Sequence, residues 1–209
     1  MKLKTIASIF ALTLAAVSAH ATNFSFTGAF EHDNDVQAFN FTVTADSVVG
    51  LRSWSYAGGV NAAGTTIARG GFDPILALFD STGKRIGQQD DAECPNVAGD
   101  AVTGECWDTF YNTDLKAGTY TVTIQQFDNF ALGDLSDGFT YDGVANQDFR
   151  KGYVDADGNK RENFWAFDIL NVNDATLPPT GDVPEPASLA LVGLGLAGIA
   201  ALRRRSRAR

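Results

Sequence analysis

The chain has 209 residues, with 16 Lys+Arg against 25 Asp+Glu. Its ends hold Lys2, Lys4 and five arginines, so residues 22–182 keep nine basic and 24 acidic residues, a net charge near −15. Such a stretch repels phosphate backbones, which excludes nucleic acid as a partner, and its roughly 160 residues suit one domain.

Met1-Lys2-Leu3-Lys4-Thr5 opens the chain, followed by an apolar run from Ile6 to Val17 and then Ser18-Ala19-His20-Ala21. A basic start, a short apolar run and a small-residue A-x-A site make residues 1–21 a signal peptide. Signal peptidase then leaves Thr22 as the first mature residue.

Residues 22–172 read as strands. Phe24 and Phe26 alternate with polar residues, as do Phe39, Phe41 and Val43, then Tyr120, Val122 and Ile124, and finally Trp165, Phe167 and Ile169. Period two over many segments predicts half-buried antiparallel strands. Ile75-Leu76-Ala77-Leu78-Phe79 is a continuous apolar run and predicts a strand buried on both faces. Turn signals lie between, at Ser81-Thr82-Gly83-Lys84, Lys116-Ala117-Gly118 and Asp157-Gly158-Asn159. The expected fold is all-β, an antiparallel β-sandwich or jelly roll.

Acidic groups punctuate these strands. Glu31, Asp33 and Asp35 precede one strand, with His32 among them, and Asp90 and Asp91 follow another. Asp155-Ala156-Asp157-Gly158-Asn159 starts like an EF-hand loop. Its glycine and its later acid fall at the wrong positions, so a β-turn is expected there. Cys94 and Cys106 are the two cysteines, both beyond the signal peptide, and an oxidising envelope favours their pairing. Trp54, Trp107 and Trp165 offer aromatic surface for a sugar, but core is the default for each, with Trp107 packed on the disulfide. No G-x-S-x-G, H-E-x-x-H or Walker loop occurs, and His32 is the mature domain's one histidine, so no catalytic residue is assigned.

Residues 173–182 are Pro-rich and read as a linker. Pro184-Glu185-Pro186 comes next, then an uncharged run over 187–202 and an Arg-rich tail over 203–209. Sixteen helical residues reach ~24 Å, nearly a hydrocarbon core, so 187–202 is expected as one transmembrane helix. The arginines behind it hold the tail in the cytoplasm and the domain outside.

The Pro-Glu-Pro triplet, apolar helix and arginine tail over 183–209 together resemble the PEP-CTERM sorting signal; segments of this kind also carry an ice-binding-protein C-terminal label. That resemblance implies exosortase as a partner, a membrane-inserted intermediate, cleavage near Pro184–Pro186, and transfer to the surface or matrix. Asp33-Asn34-Asp35 with Phe39-Asn40-Phe41, then Phe72-Asp73-Pro74-Ile75-Leu76-Ala77-Leu78-Phe79-Asp80 with Asp90-Asp91, then Leu115-Lys116-Ala117-Gly118-Thr119-Tyr120 resemble the bacterial pre-peptidase C-terminal (PPC) domain. The chain is most similar to an uncharacterised PPC-like ectodomain family found on PEP-CTERM proteins. The PPC resemblance implies a jelly roll and makes Asp33 and Asp35 candidate calcium ligands. Glu31, Asp90 and Asp91 join them as further candidates, because calcium gathers six to eight oxygens from separated loops.

These readings converge on an exported, non-enzymatic envelope or extracellular-matrix protein with Ca2+ as its one candidate cofactor. A calcium-dependent carbohydrate-binding module acting on extracellular polysaccharide stays open, as does a secreted hydrolase. A Trp and Tyr surface would favour the first of these, and two facing carboxylates in a cleft the second.

Overall fold

The computed structural model describes residues 20–144, 147–155 and 157–178. The expected signal peptide (save its last two residues), Pro184, Glu185 and Pro186, the expected helix 187–202 and the arginine tail lie outside the described residues. Among the described residues, no helix is long and apolar enough to cross a membrane.

The strands run in chain order as β1 (Thr22–Ala29), β2 (Val36–Val43), β3 (Ser47–Ser53), β4 (Gly59–Val60), β5 (Thr66–Ile67), β6 (Pro74–Phe79) and β7 (Arg85–Gln89). They continue as β8 (Phe110–Leu115), β9 (Gly118–Gln126), β10 (Tyr153–Val154), β11 (Lys160–Arg161), β12 (Phe164–Val172) and β13 (Asp174–Thr176). One sheet has the order β1-β12-β3-β8 and the other β13-β2-β9-β6-β7, with every pair of neighbours in them antiparallel. β4–β5 and β10–β11 form two small separate hairpins. The expected all-β sandwich is what forms.

The alternation sets the core. Phe39, Phe41 and Val43 of β2 and Tyr120, Val122 and Ile124 of β9 face Val49 and Leu51 of β3 and Trp165, Phe167 and Ile169 of β12. Phe39 meets both Trp165 and Phe167 across the sandwich, at 5.6 and 5.1 Å between ring centres. β6 is buried along its whole length, as its unbroken apolar run predicts. Leu76 and Leu78 enter the main core, and Ala77 and Phe79 on the opposite face are covered by Ala131, Leu135 and Phe139.

Two expectations need adjustment. The linker expected from residue 173 starts later, because Asp174–Thr176 pairs with Thr42–Asn40 of β2 and Ala175 is buried. Without that short strand, β2 would present an open edge. β3 and β8 escape the periodicity argument because Val48-Val49 and Phe110-Tyr111 are consecutive apolar residues and Thr113 takes an inner position opposite Val49.

One buried cation ties the loops at one end of the sandwich. Arg161 of β11 is 1% exposed. Its Nε donates to Asp155 Oδ2 at 2.9 Å, its Nη1 lies 3.5 Å from Asp100 Oδ2, and its guanidinium lies 3.4 Å over the Tyr56 ring. Asp100 also takes Arg69 Nε at 2.6 Å and the backbone N–H groups of Val102 and Thr103. Arg161→Met removes the shared cation and leaves Asp100 and Asp155 facing buried surroundings. It should cost about 3–5 kcal/mol, read from urea-denaturation midpoints. Adding Asp155→Asn to Arg161→Met should recover part of that loss. A double variant less stable than the single one would refute this account.

Candidate functional site

The β6–β7 hairpin builds the site. Leu76 pairs with Gln89, so continuing the register past the strand ends sets Ile75, Pro74 and Asp73 across from Asp90, Asp91 and Ala92. Thr109, fully buried, fixes both sides: its Oγ1 bonds to Pro74 O at 2.6 Å and also to Asp90 O. As a result Asp73, Asp90 and Asp91 each place a ligand oxygen within 4.8 Å of the others.

These carboxylates lack compensation. Asp73 is 8% exposed, and both its Oδ1 and Asp90 Oδ1 are buried without a hydrogen-bond partner. Burial, then the neighbouring charges of Asp91, Asp90 and Asp108, pushes Asp73 up to about 9. Burial and Asp91 raise Asp90 to about 6; burial, Asp108 and Glu105 raise Asp91 to about 6. Asp108 is a buried acid nearby with a separate task. Its oxygens accept from Ser53 Oγ, Tyr56 N and Ala57 N, which fixes the loop after β3. Three carboxylates, two orphaned buried oxygens and no His or Cys form a hard-oxygen donor set, which fits calcium.

The cluster opens onto a cavity of about 530 Å³ whose lining includes Asp73, Asp91, Trp107, Phe127, Tyr141 and Tyr153. Asp33, Asp128, Asp155 and Asp157 add acidity, and among the described residues no Lys or Arg lines it. Trp107 is half-buried and packs on Tyr56 at 4.9 Å, while Tyr153 stacks on Phe149 at 4.2 Å.

The sequence-expected ligands separate into groups. Asp90 and Asp91 are brought together. Asp33 is 3% exposed and shares the cavity. Asp35 closes its own turn, with Oδ2 accepting from Glu31 N at 2.6 Å and His32 N at 3.0 Å. Glu31 is exposed and lies 3.5 Å from Arg150. The member of this cluster that reasoning from sequence did not single out as a candidate ligand is Asp73. A detectable signal existed: a strand that opens on Asp-Pro and returns through a tight turn to Asp-Asp brings all three acids to one end.

Other expectations resolve alongside. Cys94 and Cys106 are bonded, with 5.8 Å between their Cα atoms. Asp155 forms the expected turn, its Oδ1 accepting from Asp157 N and Asn159 N. Trp165 is core at 4% exposure. Trp107, expected against the disulfide, packs on Tyr56 and lines the cavity. Trp54 is half-buried, donates Nε1 to Asp168 Oδ2 at 2.8 Å and carries Arg52 over its ring at 3.9 Å.

The raised carboxylates set a direction for stability without metal. Unfolded aspartates titrate near 3.9, below the folded values of about 9 and about 6. Their contribution is therefore fully present below about pH 4 and is lost as pH rises through about 6 and about 9. In chelator, the chain should melt lower at about pH 8 than at about pH 5. Asp73→Asn should flatten that dependence and raise the melting temperature at the alkaline end. A melt in chelator that rises with pH over this range would contradict the arrangement.

Comparison with known proteins separates the two parts of the chain. No curated protein matches it. Among solved structures, the chain is similar to the pre-peptidase C-terminal domain of collagenase from Bacillus anthracis, at 9% identity and a TM-score of 0.35, covering 74% of this chain and 90% of that one. Residues 182–205 match the PEP-CTERM protein-sorting motif. The chain therefore carries a PEP-CTERM sorting signal behind its β-sandwich, which supports an exported protein processed by exosortase through a membrane-associated intermediate.

Proposed function

We propose that this is a non-enzymatic protein of the bacterial envelope or extracellular matrix whose ectodomain is stabilised by calcium held by Asp73, Asp90 and Asp91. The observation that carries the reading is the convergence of these three carboxylates with two buried oxygens left unpartnered. A divalent cation offsets the charge repulsion that otherwise forces protonation. Export supports it, because extracellular modules work with dissociation constants of about 10⁻⁴–10⁻³ M.

The hydrolase reading fits the same residues less well. Retaining glycosidases hold two carboxyl groups ~5–5.5 Å apart and inverting ones ~6.5–9.5 Å, with room for a sugar carbon or water between them. Here three acids crowd within 4.8 Å, a spacing suited to one shared cation.

Full-length protein in detergent tests the calcium site by thermal melting at constant ionic strength. Calcium at 100 times its dissociation constant should add ~2.7 kcal/mol, a shift on the order of 5–10 °C. Magnesium should do less, since it demands octahedral geometry and keeps its waters. Asp73→Asn combined with Asp91→Asn should abolish the shift, whereas Asp35→Asn should leave it intact. Superimposable melts in calcium and in chelator would refute the site.

The sorting reading has its own measurement. Intact-mass analysis of the envelope protein from an exosortase-bearing host should show a chain that starts at Thr22 and lacks residues 187–209. Retention of the arginine tail there would leave a plain membrane anchor instead.

A further inference from the structure

The cavity beside the acid cluster has a composition that the cation alone does not explain. Asp73 and Asp91 line it, so a calcium ion held there forms part of its wall. Calcium takes six to eight oxygens, more than three monodentate carboxylates supply. The positions left over would fall to water or to ligand oxygens from the cavity that Asp73 and Asp91 line.

The remaining lining is aromatic and rich in acceptors. Trp107 is held by Tyr56, and Tyr153 is held by its stack on Phe149, so both rings are fixed in place by packing. Asp33, buried and on the same lining, and Asp128 add acceptors for hydroxyl donors. The volume of about 530 Å³ falls in the ordinary range for small-ligand sites.

Three ligand chemistries meet this lining differently. An anion is disfavoured, because Asp128 and Asp157 are further acidic side chains on the lining, while Asp155 is matched by Arg161. An amine competes for the charge that calcium neutralises. A neutral pyranose offers paired oxygens for the metal, hydroxyl donors for the carboxylates and an apolar ring face for an indole.

We propose that the calcium-loaded cavity binds a neutral saccharide, with vicinal hydroxyls completing the metal's coordination and the sugar ring against Trp107. This rests on the calcium reading above and adds the class of ligand that the site takes. No covalent step is involved.

The test uses full-length protein in a zwitterionic detergent, because glycosidic detergents would occupy the site. Tryptophan fluorescence is titrated with methyl mannoside, methyl galactoside, cellobiose, a soluble neutral glucan and a polyuronate, each in calcium and in chelator. At least one neutral sugar should bind in calcium, with affinity lost about tenfold or more in chelator and in Trp107→Ala. Because Trp107→Ala removes one reporter, calorimetry repeats that arm. Trp54→Phe should bind as the parent does. Binding by the glucan but by none of the small sugars would assign the site to chain segments rather than free sugar, and would still support it. Failure of every neutral sugar, binding equal in chelator, or preference for the polyuronate would overturn the proposal. The calcium melting shift separates the two levels. If it persists in Trp107→Ala while no sugar binds, only the saccharide inference falls; if it is absent in the parent, both fall.

Discussion

A single buried guanidinium organises one end of this sandwich. Arg161 has three kinds of partner: Asp155 within its own hairpin turn, Asp100 in the disulfide loop, and the Tyr56 ring in the loop after β3. These segments are far apart in sequence and would otherwise meet only as mobile surface loops. Burying an ion costs several kcal/mol, and the cost is offset only where partners are well placed. Arg161 therefore fixes geometry more than it adds stability. Tyr56, once fixed, becomes the backing for Trp107, and Asp155 becomes part of the cavity lining.

The same end concentrates negative charge that Arg161 does not cancel. Its attraction lowers Asp73 only weakly, against burial and the charges of Asp91, Asp90 and Asp108. A second cation within the protein would have solved the problem, as Arg69 does for Asp100. Among the described residues, none lines the cavity. The chain thus uses a guanidinium where it needs a rigid joint, and leaves carboxylates uncompensated where an external ion has access. That difference separates structural acids such as Asp108, whose oxygens are fully used by the loop at 53–57, from the acids of the candidate site.

Period-two patterning revealed the core because β2, β9 and β12 alternate apolar with other residues along the sequence, even though β9 and β12 are buried on both faces over much of their length. It missed β3 and β8, where Val48-Val49 and Phe110-Tyr111 are consecutive apolar residues and Thr113 takes an inner position. Acid counting along the sequence named Asp90 and Asp91, which the fold brings together with Asp73, and also Glu31 and Asp35, which it places apart from that cluster. Proximity to one another in sequence says nothing about where an oxygen points, and Asp35 spends its carboxylate on two backbone N–H groups of its own turn. Asp73 went unmarked as a candidate ligand because it stands alone between Phe72 and Pro74. Only hairpin register, a relation between distant residues, brings it beside Asp90. Arg161 was equally silent, since a lone arginine near a turn normally belongs to solvent.

The disulfide ties together the segments that build the site. Asp90 and Asp91 lie just before Cys94, and Trp107, Asp108 and Thr109 lie just after Cys106. One covalent bond thus returns the chain from the carboxylates of one wall to the ring of another. Closing a loop of this size contributes roughly 3 kcal/mol by restricting the unfolded chain. Thr109 then completes the tie by bonding to Pro74 O and Asp90 O. Such a bond persists in an oxidising compartment and not in the cytosol. An oxidising compartment therefore favours the closed loop that presents these carboxylates. With the thiols reduced, residues 90–109 would lose that covalent closure. Under the calcium reading proposed above, oxidation and calcium would act on the same stretch of chain: the bond would hold the carboxylates near, and the cation would make that closeness favourable.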